Sequence, residues 1–170
     1  MKVTTVIPSP VGELIAIRDG DDLVALEFPG RAPPHADAIR DDAAFADVKA
    51  QLDAYFAGER RAFELALRPA GTDFQQAVWS ALRAIPYGTT TSYAAIARTI
   101  GRPDAVRAVG AANGANPIAI IVPCHRVIGA NGTLTGYGGG LARKQYLLEL
   151  EARTAGAQLR LHFSRASDSA

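Results

Sequence analysis

Residues 118–127 read Ile118-Ala119-Ile120-Ile121-Val122-Pro123-Cys124-His125-Arg126-Val127, an apolar run that passes through a proline into the only cysteine of the 170-residue chain. The β-branched residues of the run predict a strand-like approach that places the thiol at the rim of the core. A thiol attacks carbon as the thiolate, and a nearby imidazole can accept its proton directly or through a water. Arg126 adds positive charge that favours the thiolate. The stretch therefore marks Cys124 as a candidate nucleophile and His125 as its base.

The same residues also have ordinary structural interpretations. A lone cysteine is often a small buried hydrophobe. The base in cysteine hydrolases is usually remote in sequence, so the adjacent His125 could be a simple polar neighbour. One cysteine excludes an intramolecular disulfide and a Cys-rich zinc site. The other histidines, His35 and His162, lie near opposite ends of the chain, so we expect no metal.

A glycine-rich segment and a helical pattern follow the cysteine. Gly136-Tyr137-Gly138-Gly139-Gly140 leaves backbone N–H groups bare and lets the backbone approach a ligand closely, although a flexible loop would have the same composition. Residues 141–151 predict a helix with one apolar side. Glu151 at its end either orients His125, as a carboxylate does in a catalytic triad, or is a solvated surface residue. The residues alone leave both interpretations open.

Two short helices before the cysteine predict a helix-turn-helix. Residues 92–100 and 104–113 have helical patterns, and Gly101-Arg102-Pro103 makes the turn between them. A generic pair of antiparallel helices would look similar. The second helix is lined by alanines and glycines, and Arg107 is its one long cation. Major-groove readers carry several polar side chains, so this helix favours sequence-independent binding through the minor groove and the phosphates.

The first 70 residues predict a small α/β scaffold domain with an antiparallel sheet. Residues 11–18 and 23–28 predict a hairpin about Asp19-Gly20-Asp21. A helix opens at Asp41 and ends at Gly58, and residues 62–67 predict another strand. This half contains no evident catalytic constellation.

The rest of the chain predicts a mostly helical domain and a tail. Pro69-Ala70-Gly71 marks the boundary, and Thr72 with Gln75 predicts a capping box for a helix through residue 85. The C-terminal domain, residues 71–156, holds the helix-turn-helix and the cysteine loop. In the tail, residues 157–170, we expect a short strand at 159–163 and disorder from 164 onward. The predicted fold class is α+β.

Charge is unevenly divided between the two halves. Residues 1–70 hold 8 Lys and Arg and 12 Asp and Glu, whereas residues 71–170 hold 10 and 5. Polyanion binding therefore belongs to the C-terminal part, if it occurs at all. No apolar run reaches 18 residues and no signal-peptide pattern opens the chain, so we expect no membrane span and no secretion. A single thiol fits a reducing, cytoplasmic compartment.

A series of segments between residues 71 and 151 resembles the O6-alkylguanine-DNA alkyltransferase family. In chain order they are Phe74-Gln75-Gln76-Ala77-Val78-Trp79, Ile85-Pro86-Tyr87-Gly88, Ser92-Tyr93, Arg107-Ala108-Val109-Gly110, Asn116-Pro117, Pro123-Cys124-His125-Arg126-Val127 and Gly136-Tyr137-Gly138-Gly139-Gly140. The N-terminal half agrees with the family in size. The resemblance implies repair of alkylated double-stranded DNA, with the damaged base flipped out of the helix.

The resemblance also assigns the reaction. Cys124 would attack the alkyl carbon in line, His125 would take the thiol proton through a water, and Glu151 would orient His125. Tyr93 would press on the flipped nucleotide and donate a hydrogen bond to the purine. The thioether product is stable, which implies one turnover per molecule and no cofactor. The preferred alkyl size and any action on O4-alkylthymine stay open.

The remaining roles concern DNA and the base pocket. The DNA-binding residues would be Ser92, Tyr93, Ala105, Arg107, Ala108 and Gly110, with Arg107 as the finger that fills the place of the flipped base. Pocket residues would be Ala119, Val127, Tyr137 and Gly138. Backbone carbonyls near Cys124 and Val127 would read the exocyclic amine, and the N–H near Gly138 would ease departure of the base. Asn116 would brace the turn before the cysteine loop.

Two departures from the family pattern stand out. Some relatives bind zinc through Cys and His in the N-terminal domain, where this chain has only His35, so we predict no zinc. Some relatives have proline and serine where this chain has Ala119 and Gly138. Our hypothesis is that the small residues widen the pocket or change its tolerance of bulky O6 groups.

Two other classes of protein compete with alkyl transfer. One is a DNA-binding module that senses alkyl lesions without chemistry, and the other is a thiol hydrolase, which would leave the helix-turn-helix unexplained. We expect a monomer, and cooperative binding along DNA stays open.

Overall fold

The computed structural model describes residues 1–30, 35–132 and 134–167, with side chains described as far as residue 156. Four N-terminal strands form a mixed sheet in the order β3-β2-β1-β4. The strands are β1 (Lys2–Ile7), β2 (Leu14–Asp19), β3 (Asp22–Glu27) and β4 (Ile39–Arg40). The β2–β3 hairpin confirms the prediction, and β1, which pairs antiparallel with β2 and parallel with β4, was not predicted.

The helices and short elements that follow complete an α+β fold, as predicted. They are α1 (Ala46–Phe56), α2 (Asp73–Arg83), β5 (Thr91–Ser92), α3 (Tyr93–Thr99), α4 (Val106–Gly114), a 3₁₀ turn (Cys124–Arg126), β6 (Val127–Ile128) and α5 (Leu141–Ser167). A further 3₁₀ turn, Asp42–Phe45, precedes α1. None of the helices in the described ranges combines the length and the apolar character that a membrane span requires.

Three local predictions were wrong. Residues 62–67 form no strand, because only a single bridge joins Leu67 to Leu23. Residues 118–122 form a tight turn instead of a strand-like approach, and Ile120 adopts a positive φ of 72°. The backbone of α5 continues through Ser167, so residues 159–163 are helical, and the expected disorder is contradicted as far as Ser167. Residues 168–170 lie outside the described ranges.

The helix-turn-helix is formed by α3 and α4. Ser92 caps α3 by accepting a hydrogen bond from the Ala95 N–H, and the turn passes through Gly101, whose φ of +74° favours glycine. The predicted capping box of α2 is present in full at Thr72 and Gln75. Trp79 on α2 donates from Nε1 to the Ala112 carbonyl on α4 at 2.8 Å. These contacts fix α4 against the rest of the C-terminal half.

The edge strand β3 joins the two halves beside the cysteine. The Leu26 N–H donates to the Pro117 carbonyl at 2.8 Å, and the Ala119 N–H donates back to the Leu26 carbonyl at 2.9 Å. One hydrophobic core contains buried side chains from both halves, including Leu26, Tyr55 and Cys124. Burial of apolar surface across this junction stabilises the halves against each other, so the sheet supports the segment that leads to the thiol.

Candidate active site

A tight turn held by Asn116 positions the cysteine. The Asn116 Nδ2 amide donates to the carbonyls of Val122 at 2.8 Å and Ile118 at 3.3 Å, and its Oδ1 accepts from the Ile118 N–H at 3.0 Å. A β-branched residue at positive φ, as at Ile120, is strained by about 1–3 kcal/mol and persists only where its surroundings enforce it. The Asn116 amide supplies that enforcement, so it braces the turn before the cysteine.

Cys124 opens the 3₁₀ turn at the wall of a small cavity. The thiol residue is 6% exposed. The cavity has a volume of about 30 Å³, enough to hold a bound water. It is lined by Leu26, Glu27, Phe28, Asn113, Gly114, Asn116, Ala119, Cys124, Gly136, Tyr137, Gly138 and Gly139. The glycine-rich segment thus forms part of the wall beside the thiol.

The residues predicted for the base pocket are divided between the cavity wall and the core. Ala119, Tyr137 and Gly138 line the cavity, whereas Val127 does not and is fully buried. The Val127 carbonyl accepts a hydrogen bond from the buried ammonium of Lys144 at 2.6 Å, and Lys144 also donates to the Thr135 carbonyl at 2.9 Å. Lys144 therefore links the cysteine loop, at Val127, to Thr135, which directly precedes the glycine-rich segment.

Glu151 is the centre of a buried polar cluster. Its Oε2 lies 2.7 Å from His125 Nε2 and accepts from the Tyr55 hydroxyl at 2.5 Å. Arg126 donates from Nε to Oε1 at 2.7 Å and from Nη2 to Oε2 at 3.1 Å. Glu151 is 1% exposed, so the interpretation of a solvated surface residue was wrong.

Arg126 does not act mainly on the thiol, as its position in the sequence had suggested. Besides pairing with Glu151, it donates from Nη1 to the Ile85 carbonyl at 2.8 Å. A bidentate pair with a carboxylate neutralises the guanidinium locally. The residue therefore serves first to hold the carboxylate that faces His125.

The electrostatics of the cluster favour a neutral imidazole beside a carboxylate anion. Burial would raise the pKa of Glu151, but the hydrogen bonds and charges of His125 and Arg126 outweigh burial and hold that pKa at about 2. Burial lowers the pKa of His125, and the hydrogen bond to Glu151 opposes that shift only in part. Glu151 accepts the Nε2–H, which leaves Nδ1 as the ring's basic nitrogen. Among the described residues, His125 Nδ1 has no hydrogen-bond partner.

The N-terminal half contributes to the site, contrary to the sequence interpretation. Tyr55 of α1 reaches Glu151, and Leu26, Glu27 and Phe28 form one wall of the cavity. A Cβ on Gly139 would lie 2.6 Å from Phe28 Cε2, so only glycine fits where the segment crosses this wall. Sequence reasoning had no local signal for Tyr55, which lies 96 residues before Glu151.

The predicted DNA-contacting residues share one region of the surface. On α4, Arg107 and Ala108 are exposed and Gly110 is half-buried, as is Ala105 just before the helix. The half-buried Tyr93 pairs its hydroxyl with Thr135 Oγ1 at 2.9 Å, and Ser92 is occupied as the cap of α3. Neither Ser92 nor Tyr93 lines the cavity. In the part of the chain that the structure describes, no three His, Cys, Asp or Glu side chains cluster as a metal site requires.

Together these features define an α+β protein in which a helix-turn-helix stands beside a buried cysteine, histidine and glutamate. Residues 2–69 match the family model described as 6-O-methylguanine DNA methyltransferase, ribonuclease-like domain. Residues 73–153 match the model described as 6-O-methylguanine DNA methyltransferase, DNA binding domain. The chain therefore belongs to the 6-O-methylguanine DNA methyltransferase family, which confirms the resemblance in its sequence.

Individual relatives agree with this assignment. The methylated-DNA–protein-cysteine methyltransferase of Mycobacterium bovis is 55% identical over 157 residues, covering 91% of this chain and 95% of the relative. The crystal structure of Mycobacterium tuberculosis O6-methylguanine methyltransferase has a TM-score of 0.88 and 53% identity, covering 95% of this chain and 99% of that one. Mycobacterium tuberculosis OGT in complex with DNA has a TM-score of 0.85 and 54% identity, covering 90% and 93%.

Proposed function

We propose that this protein repairs DNA by transferring the alkyl group of an O6-alkylguanine in duplex DNA to Cys124, once per molecule. The observation that carries the proposal is the arrangement of the only cysteine at a cavity wall, next to a histidine bonded to a buried carboxylate. The relatives' names, in which methylated DNA is the donor and a protein cysteine the acceptor, support it.

The reaction follows from the order of the polar groups. The thiol proton passes to His125 Nδ1, directly or through a water, and Glu151 stabilises the imidazolium. The Cys124 sulfur then forms a bond to the alkyl carbon while the bond from that carbon to O6 breaks, and its electrons move into the purine. Tyr93 and the backbone N–H near Gly138 donate to the purine as this charge develops. A proton from solvent completes the guanine.

Single turnover follows from the product. The carbon–sulfur bond of an alkylated cysteine is stable toward water, because a thiolate leaves saturated carbon far less readily than the purine leaves the alkyl group. The protein is consumed, and the steps above require no cofactor. Transfer from O4-alkylthymine would use the same displacement by Cys124, and assays with that substrate decide whether it occurs.

Access of the base requires two movements. The alkyl group is unreachable inside the stack, so the nucleotide must flip out, and Arg107 fills the vacated place. We further propose that the walls of the cavity beside Cys124 move apart to admit the purine. Tyr93 then exchanges its present partner, Thr135 Oγ1, for the flipped nucleotide. The purine then occupies the space between Cys124 and Tyr137.

The DNA surface is formed by α4 and the start of α3. The small side chains Ala105, Ala108 and Gly110 permit close approach, and Arg107 is exposed. We propose sequence-independent binding of a monomer in the minor groove, with phosphate contacts that weaken as salt rises.

We propose three units along the chain, residues 1–70, 71–156 and 157–170. The family-model matches end at residue 69 and resume at residue 73, which supports the first boundary. A reducing cytoplasm suits the unmodified thiol.

Intact-mass measurement tests the proposal. The protein is incubated with a duplex oligonucleotide carrying O6-methylguanine, and separately with the unmodified duplex. We expect a gain of one methyl group only with the lesion, and no gain in Cys124→Ser, which should still bind the duplex. Binding without any mass gain would instead identify a lesion-binding module without chemistry. Repeated turnover on esters or amides would point to a thiol hydrolase.

A further inference from the structure

Tyr55 places a phenol against the catalytic carboxylate from the other half of the chain. The side chain is completely buried. Its hydroxyl donates to Glu151 Oε2 at 2.5 Å, and the same oxygen lies 2.7 Å from His125 Nε2. One carboxylate oxygen therefore serves two donors, one from α1 and one from the cysteine turn.

The Tyr55 ring is held by aromatic neighbours, so its hydroxyl has a fixed direction. Phe56 packs edge-on at 5.2 Å between ring centroids, Phe63 lies at 5.5 Å, and Tyr87 packs edge-on at 6.3 Å. Burial and the negative charge of Glu151 raise the pKa of Tyr55, so the phenol stays protonated wherever the protein is folded. It is a permanent donor to Glu151.

We propose that Tyr55 is a positioning residue of the alkyl transfer, which sets the orientation of Glu151 and through it the basicity of His125. The inference rests on the proposed function, in which His125 accepts the Cys124 proton. A donor on Oε2 takes up part of the carboxylate's negative charge, which weakens the pull of that oxygen on the imidazole. Loss of the phenol would make Glu151 a stronger acceptor and His125 a stronger base.

Several charged groups close to His125 also influence its basicity. Glu151 and Lys144 face it from α5, and Arg126 follows it on the same turn, and all three contribute to its electrostatics. Cys124 precedes it, and Tyr55 reaches the shared oxygen from α1. Replacing Tyr55 by phenylalanine leaves all of these charges in place and removes only one donor. The shift in His125 titration is therefore assignable to the phenol hydroxyl.

The test uses the full chain with Tyr55→Phe. Methyl transfer from an O6-methylguanine duplex is followed in single turnover across pH, and the His125 imidazole is titrated by NMR. We expect the His125 titration and the acid limb of the rate profile to move together to higher pH. A shift of about one pH unit, the scale of a lost hydrogen bond to a charged group, should lower the rate at pH 7 by at most about threefold and leave the rate above the shifted limb undiminished.

Tyr87→Phe is the matched control. Tyr87 belongs to the same aromatic group, and its buried hydroxyl has no hydrogen-bond partner among the described residues. This variant should keep the wild-type rate and pH profile. A change as large as that of Tyr55→Phe would show that any phenol in the group matters, which would overturn the proposal.

A second variant covers the case in which Tyr55→Phe folds poorly. Site-specific 3-fluorotyrosine at position 55 is a stronger donor, so the His125 titration should move to lower pH. Unchanged titration in both variants, or a uniform rate loss explained by a lower Tm, would overturn the positioning role. If the wild-type protein is not methylated at all, the proposed function fails, while the NMR titration still decides the role of Tyr55.

Discussion

Arg126 donates two hydrogen bonds to Glu151, from Nε to Oε1 at 2.7 Å and from Nη2 to Oε2 at 3.1 Å. Both side chains are almost wholly buried. Two residues of opposite charge thus neutralise each other inside the core, and His125 lies beside the pair. Removal of either partner leaves the other charge buried and uncompensated.

We expect Arg126→Leu to lower the free energy of unfolding by about 3–5 kcal/mol at pH 7. Urea denaturation measures the loss. Arg126→Lys should recover only part of it, because an ammonium cannot make the bidentate pair. The double variant Arg126→Leu/Glu151→Leu should lose less free energy of unfolding than the sum of the losses in the two single variants. Exposed ion pairs contribute below about 1 kcal/mol to the free energy of unfolding. A loss that small for Arg126→Leu would contradict a buried ion pair.

The free energy of unfolding should decrease in two steps as the pH is lowered. Burial lowers the pKa of His125 below its ordinary 6.5, so the unfolded chain takes up that proton more readily and stability declines below pH 6.5. Glu151 has a pKa of about 2 when folded, against 4.5 ordinarily, so its contribution is present above pH 4.5 and is lost as pH falls toward 2.

Unfolding free energies at pH 7.5, 5.5 and 3.5 measure both steps. His125→Phe removes the titrating group and should flatten the decline between pH 7.5 and 5.5 while keeping the decline at lower pH. A wild-type protein whose stability is constant from pH 7.5 to 5.5 would contradict a neutral, buried His125.

Ala119 and Gly138 line the cavity with Cys124, so their size should affect which alkyl groups fit. We expect Ala119→Pro and Gly138→Ser to lower the rate on O6-benzylguanine more than the rate on O6-methylguanine. The ratio of the two rates is the measured quantity. Ala84→Ser, at an exposed position outside this cavity, is the control and should keep the ratio. An unchanged ratio in both pocket variants would end the hypothesis.

Arg107 is exposed on α4, and the proposed function assigns it the place of the flipped base. We expect Arg107→Ala to slow repair of a lesion in duplex DNA about tenfold or more, the scale of a lost contact to a charged group. Attack on free O6-benzylguanine should change little, because no base pair has to be opened. Equal losses on the two substrates would remove the finger role and point to a disturbed fold.

The sequence was a good guide where structure is local. The capping box at Thr72, the β2–β3 hairpin and the helix-turn-helix depend on neighbouring residues, and all three are confirmed. It failed at residues 118–122, where β-branched propensity predicts an extended chain. There the hydrogen bonds of Asn116 impose a turn on Ile120, so a tertiary constraint overrides propensity.

Two participants in the site were missed for different reasons. Tyr55 has no local signal, because only the packing of α1 against α5 brings it to Glu151. Lys144 did have a signal. Lys144, Leu147 and Glu151 are spaced by three and four residues, so two charged residues share the apolar face of α5, where both prove to be buried. A charge on a predicted core face is therefore worth treating as a site residue.

The transfer to Cys124 is tested most directly by locating the methyl group. The protein is incubated with a tenfold excess of O6-methylguanine duplex, digested and sequenced by tandem mass spectrometry. We predict one methyl per chain, all of it on the Cys124 sulfur, and no further modification however long the excess persists. An unmodified Cys124, or a methyl on any other residue, would contradict the proposed reaction.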